Sequence, residues 1–75
     1  MRSPKLRLSA RNQLPGTITS IQVGTVTAIV KVSLEGGQQS ITSSITLEAA
    51  KELGLTEGMA VIVLVKASEV SIAVE

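Results

Sequence analysis

From residue 25 to 34 the chain alternates with a period of two: Val26, Ala28, Val30, Val32 and Leu34 fall on one face, and Thr25, Thr27, Ile29, Lys31 and Ser33 on the other. That period belongs to a half-buried strand and cannot be laid on one side of a helix. Around this anchor the pattern predicts more strands. Leu6, Leu8 and Ala10 alternate with Arg7, Ser9 and Arg11, giving a strand over 5–11. Leu14-Pro15-Gly16 reads as a turn, because proline fixes φ and glycine tolerates the reversal, and a second strand over 17–23 follows it. Gly24 marks a bend, and Glu35-Gly36-Gly37-Gln38 is a hairpin signal leading into a strand over 39–45. Thr46 can cap a short helix over 48–53, with Glu48 near its positive end. Gly54 ends that helix and lets Leu55 fold back on Ala50. Strands over 59–66 and 70–74, joined by Ala67-Ser68-Glu69, complete the chain. Short strands with one helix between the fourth and fifth predict an all-β fold with one short helix: a small OB-like β-barrel, one domain over 1–75.

Residues 61–65, Val-Ile-Val-Leu-Val, are apolar on both faces. Two arrangements satisfy them. The segment is either a central strand buried within one chain, or a strand covered by barrel core on one side and by a neighbouring subunit on the other. Chain length favours some help from outside, since a domain of 75 residues buries only about 60% of the surface its unfolded chain exposes. With no Cys and no His, neither disulfides nor a zinc site can supplement the core, so oligomerisation remains.

The same absences narrow function. A chain without His, Cys, Asp or Tyr has no thiolate nucleophile and no imidazole base, so a binding role leads and catalysis is the least expected. Single-stranded nucleic acid, a frequent ligand of small barrels, is recognised by aromatic stacking in a basic groove; here there are no aromatic residues and the net charge is +1. No apolar run approaches the ~20 residues needed to span a bilayer, and the N-terminus lacks a signal-peptide core, so a cytoplasmic address with no membrane partner is expected. Charge is unevenly placed: Arg2, Lys5, Arg7, Arg11 and Lys31 all precede the first acid, Glu35. That asymmetry suits an anion or a head-to-tail contact.

The run Leu8-Ser9-Ala10-Arg11-Asn12-Gln13-Leu14-Pro15-Gly16, with Val26-Thr27-Ala28, Gly36-Gly37, Ile41-Thr42-Ser43 and Val65-Lys66-Ala67-Ser68-Glu69-Val70, resembles the molbindin family of Mop domains. The resemblance implies an OB-like barrel in a hexamer, a trimer of dimers that exchange N-terminal strands. It also implies molybdate or tungstate bound at subunit interfaces, with no organic cofactor. Ser9, Arg11, Lys66, Ala67 and Ser68 are then the expected oxyanion site, and Val23, Gly24, Thr42 and Ser43 a second anion site near the three-fold axis. Intracellular molybdate storage or homeostasis is the expected role; a regulatory or oligomerisation module of a molybdate transport system is the alternative.

The chemistry agrees with the resemblance. A deprotonated tetrahedral oxyanion only accepts hydrogen bonds, so its site should hold donors alone: Arg, Lys, hydroxyls and backbone N–H groups. Ser9, Arg11, Lys66, Ser68 and the amides of Ala67 and Ser68 are such a set, the last two placed where successive amides can form an anion-binding nest. Each also has a plainer role. Arg11 could be a solvated charge or pair with Glu69, Lys66 could extend into water, and either serine could serve the local backbone.

Overall fold

The computed structural model describes residues 11–75. Four strands, β1 (Asn12–Val23), β2 (Thr27–Leu34), β3 (Ser40–Thr46) and β4 (Ala60–Val65), form one antiparallel sheet in the order β3-β2-β1-β4. Helix α1 (Leu47–Leu53) lies between β3 and β4, and a 3₁₀ turn, Ala67–Glu69, follows β4. The chain is thus mostly β with one short helix, and its sheet curls into part of a barrel. No helix among the described residues is long and apolar enough to cross a membrane.

The alternation that defines β2 buries Ala28, Val30 and Val32 at 0%, 4% and 3% exposure, and Ile18 of β1 closes on them. Ile21, Ile45, Leu55, Val61 and Val63 pack around this centre. Val26, expected on the same face, lies before the strand begins and stays exposed.

One predicted turn is absent. Leu14-Pro15-Gly16 runs straight through β1, because the two halves of that strand serve different neighbours: 12–17 pair with β4 and 16–23 with β2. Pro15 is tolerated because its missing N–H faces the β2 side, where its carbonyl accepts from Glu35 N at 3.3 Å and the hairpin has already begun. Gly16 is required by close approach rather than by a turn: a Cβ there would stand 2.6 Å from Val32 Cγ1 and 2.7 Å from the Ser33 carbonyl oxygen.

The β1–β2 register slips between Ile18 and Ser20, leaving Thr19 as a bulge whose hydroxyl donates to the Lys31 carbonyl at 3.2 Å. The extra residue resets the alternation. Ile18 and Ile21, three apart in sequence, therefore both reach the core, and the added twist helps the sheet curl.

The local signals around α1 act as expected. Thr46 Oγ1 accepts from Ala49 N at 3.0 Å, and Gly54 adopts φ 64° and ψ 37°, a left-handed conformation that glycine takes without Cβ strain. Leu55 N then donates to the Ala50 carbonyl at 3.2 Å, completing the fold-back.

Two expectations at the sheet's open side are corrected. Of the two arrangements open for residues 61–65, the central strand buried within one chain is not found among the described residues, where β4 is an edge strand with Ile62 and Leu64 at 43% and 45% exposure. Residues 70–74 are not assigned as a strand either, and none of the described strands pairs with them. The predicted strand over 5–11 lies outside the described residues except for Arg11, which stands at a bend before β1.

Candidate functional site

The antiparallel β1–β4 ladder ends at the pair Asn12↔Val65. Arg11 immediately precedes Asn12 and Lys66 immediately follows Val65, so two cations separated by most of the sequence come to one end of one ladder. Both are solvent-exposed. Asn12 ties that end together, its Nδ2 donating to the Val65 carbonyl at 3.2 Å. The residue type gave no warning of this role; it follows from the register.

Beyond Lys66 the chain turns through Ala67–Glu69, with Glu69 N donating to the Lys66 carbonyl at 2.9 Å and Val70 N to the Ala67 carbonyl at 3.3 Å. Those two bonds close the turn. The amides of Ala67 and Ser68 stand at its start, where a 3₁₀ turn supplies no acceptor of its own. Lys66, at the cap position, makes no side-chain capping bond. One end of the sheet therefore brings Arg11 and Lys66 beside the turn that carries Ala67 and Ser68. Like charges at facing positions of a ladder repel, and an anion held between them removes that cost. Ser9 lies outside the described residues. Among the described residues no group of three or more His, Cys, Asp and Glu could hold a metal cation.

The second expected group is not gathered within one chain. Val23 pairs with Ala28, which pairs with Ile45, so Val23 and Gly24 lie two strands away from β3. Gly24 is engaged in a turn, its N–H donating to the Thr27 carbonyl at 2.8 Å. Thr42 and Ser43 are adjacent in β3 and so face opposite sides: Ser43 lines the concave groove, while Thr42 is exposed opposite Lys31.

The family model of the TOBE domain matches residues 8–72. A probable molybdenum-pterin-binding protein of Haemophilus influenzae is 41% identical over 70 residues, which is 93% of this chain and 100% of that protein. MopII from Clostridium pasteurianum superimposes with a TM-score of 0.84 at 41% identity, over 91% of this chain and 100% of that one. The cytoplasmic molybdate-binding protein ModG, solved with molybdate bound, superimposes with a TM-score of 0.80 at 48% identity, covering 85% of this chain and 45% of that one. Through a match that spans nearly its whole length, the chain belongs to the TOBE domain family, as a molbindin-type Mop domain.

Proposed function

We propose that this protein binds molybdate, and tungstate as its chemical analogue, in a site built from Arg11, Lys66, the Ser68 hydroxyl and the amides of Ala67 and Ser68, with Ser9 contributed from the N-terminal segment. The observation that carries the reading is the meeting of Arg11 and Lys66 beside the start of the 67–69 turn. Such a set offers donors only, as an unprotonated dianion requires. Molybdate binding by ModG, to which this chain is 48% identical, supports the ligand.

The site lies at the rim of a sheet that the described residues leave unclosed, which favours placing it at a subunit interface. We take the assembly to be a hexamer, a trimer of dimers exchanging N-terminal strands. A second anion site would then draw Val23 and Gly24 from one subunit and Thr42 or Ser43 from another, since one chain holds them apart. The whole chain acts as one domain over 1–75, a cytoplasmic binding protein for molybdate storage and homeostasis rather than a catalyst.

The test is titration calorimetry with molybdate on Arg11→Ala and Lys66→Ala, each first shown to keep its oligomeric mass. Truncating one member of a desolvated charge pair costs about 2–5 kcal/mol, so affinity should fall roughly 30-fold to several thousand-fold. Wild-type affinity and stoichiometry in both variants would move the site elsewhere. Phosphate is the specificity control: hydrogen phosphate carries a proton for which a donor-only site has no acceptor, so phosphate should displace molybdate only in large excess.

A further inference from the structure

Arg11 and Lys66 are long, exposed side chains, and Lys66 makes no side-chain capping bond at the turn it precedes. Whatever holds them and the neighbouring amides at a set spacing must therefore act through the backbone. Ladder ends are where a sheet frays first, so the last rung, Asn12↔Val65, is the weak point of that spacing.

Three hydrogen bonds hold consecutive carbonyls from that rung onward. The Val65 carbonyl accepts from Asn12 Nδ2 at 3.2 Å, the Lys66 carbonyl from Glu69 N at 2.9 Å and the Ala67 carbonyl from Val70 N at 3.3 Å. A peptide group is planar, so constraining a carbonyl also constrains the N–H of the next residue. The three bonds accordingly orient the amides of Lys66, Ala67 and Ser68 in turn. Two of them lie inside the turn and move with it. The bond from Asn12 spans 53 residues of sequence and ties the turn to β1, directly beside Arg11.

We infer that Asn12 is a positioning residue that sets the selectivity of the oxyanion site: its side-chain amide fixes the gap between Arg11 and the 66–68 amides at the span of molybdate, which the smaller sulfate does not bridge. The inference rests on the site proposed above. Sulfate and molybdate are both unprotonated tetrahedral dianions, so charge attracts them alike and the distinction comes from how many donors each can reach at once. A fixed gap leaves donors unpaired around the smaller anion. A loosened one lets the turn close on it.

The test uses full-length protein carrying Asn12→Leu, which keeps the bulk and removes the donor. Once shown to keep its oligomeric mass, it is titrated by calorimetry with molybdate, directly and in competition with sulfate. Molybdate affinity should fall about 10-fold, the lower end of what losing a partner behind a ligand costs, while sulfate affinity holds, so the molybdate-to-sulfate ratio drops by the same factor. A merely structural role leaves that ratio unchanged, because lost stability weakens both anions equally. Asn12→Asp is the second variant. Its carboxylate cannot donate to the Val65 carbonyl and its charge repels both dianions alike, so the ratio reports the missing bond even where Asn12→Leu does not assemble. A wild-type ratio in either assembled variant would overturn the inference. Arg11→Ala, titrated alongside, separates the two ideas: wild-type molybdate affinity there removes the site and the inference with it, whereas weakened binding there beside a wild-type ratio in the Asn12 variants removes the inference alone.

Discussion

Gly16 illustrates how one residue type carries two meanings. Beside Pro15 it suggests a turn, yet in the structure it is the point where β1 passes so close to Val32 and Ser33 that no side chain fits. Gly16→Ala should therefore act as an overpacking change. We expect a loss of about 1–3 kcal/mol in urea-unfolding free energy, since the obstruction includes backbone and cannot simply rotate away. Wild-type stability in that variant would mean that the strands can separate at no cost. Asn12 has the opposite character, for its role is a single bond to the Val65 carbonyl at a half-exposed site. Asn12→Ala should cost about 0.5–1.5 kcal/mol and loosen the ladder end where Arg11 and Lys66 meet, which amide hydrogen exchange at Val65 and Lys66 would register.

At the scale of elements, α1 rests on its caps, since seven residues cannot sustain a helix by propensity alone. Thr46→Ala should cost about 1 kcal/mol by leaving the Ala49 amide without its side-chain acceptor. Thermal unfolding by circular dichroism measures it, and an unchanged midpoint would show that tertiary packing alone holds the helix. The elements legible in the sequence are those whose determinants are local: the alternation of β2, the Gly36-Gly37 hairpin, and the Thr46 and Gly54 signals bounding α1. Those misread depend on partners. Whether Pro15 interrupts a strand is decided by which neighbour its nitrogen faces, and whether 70–74 become a strand is decided by a partner edge that none of the described strands supplies. The site divides the same way. Arg11, Lys66, Ala67 and Ser68 follow from the resemblance to Mop domains, with which their donor chemistry agrees, but the meeting of Arg11 and Lys66 at one ladder end is a matter of register, and the contribution of Asn12 was invisible without it.

For the whole molecule, the fully buried core is small: Ile18, Ala28, Val30, Val32 and Ala50 are the buried hydrophobic residues among those described. A core of that size, open along a groove, makes stability depend on association. The melting temperature should rise with protein concentration, because mass action favours whatever covers the groove. A midpoint independent of concentration across the micromolar range would indicate a self-sufficient monomer. Molybdate should add to stability in the same way, by about 2.7 kcal/mol at a hundredfold excess over its dissociation constant.

The bulge at Thr19 also bears on how such a domain tolerates insertions and deletions. Residues 35–39 join β2 to β3 at the surface, and a change in their number alters a loop. Position 19 is a different case. Removing it would leave Ile18, Ser20 and Ile21 opposite the consecutive partners Val32, Lys31 and Val30, an unbroken ladder in which Ile18 and Ile21 still face the core; what would be lost is the local bend. A one-residue deletion in the regular part of β2 would instead turn the rest of that strand over, so the bulge is the one place in these paired strands where chain length can change by one without exchanging inside for outside.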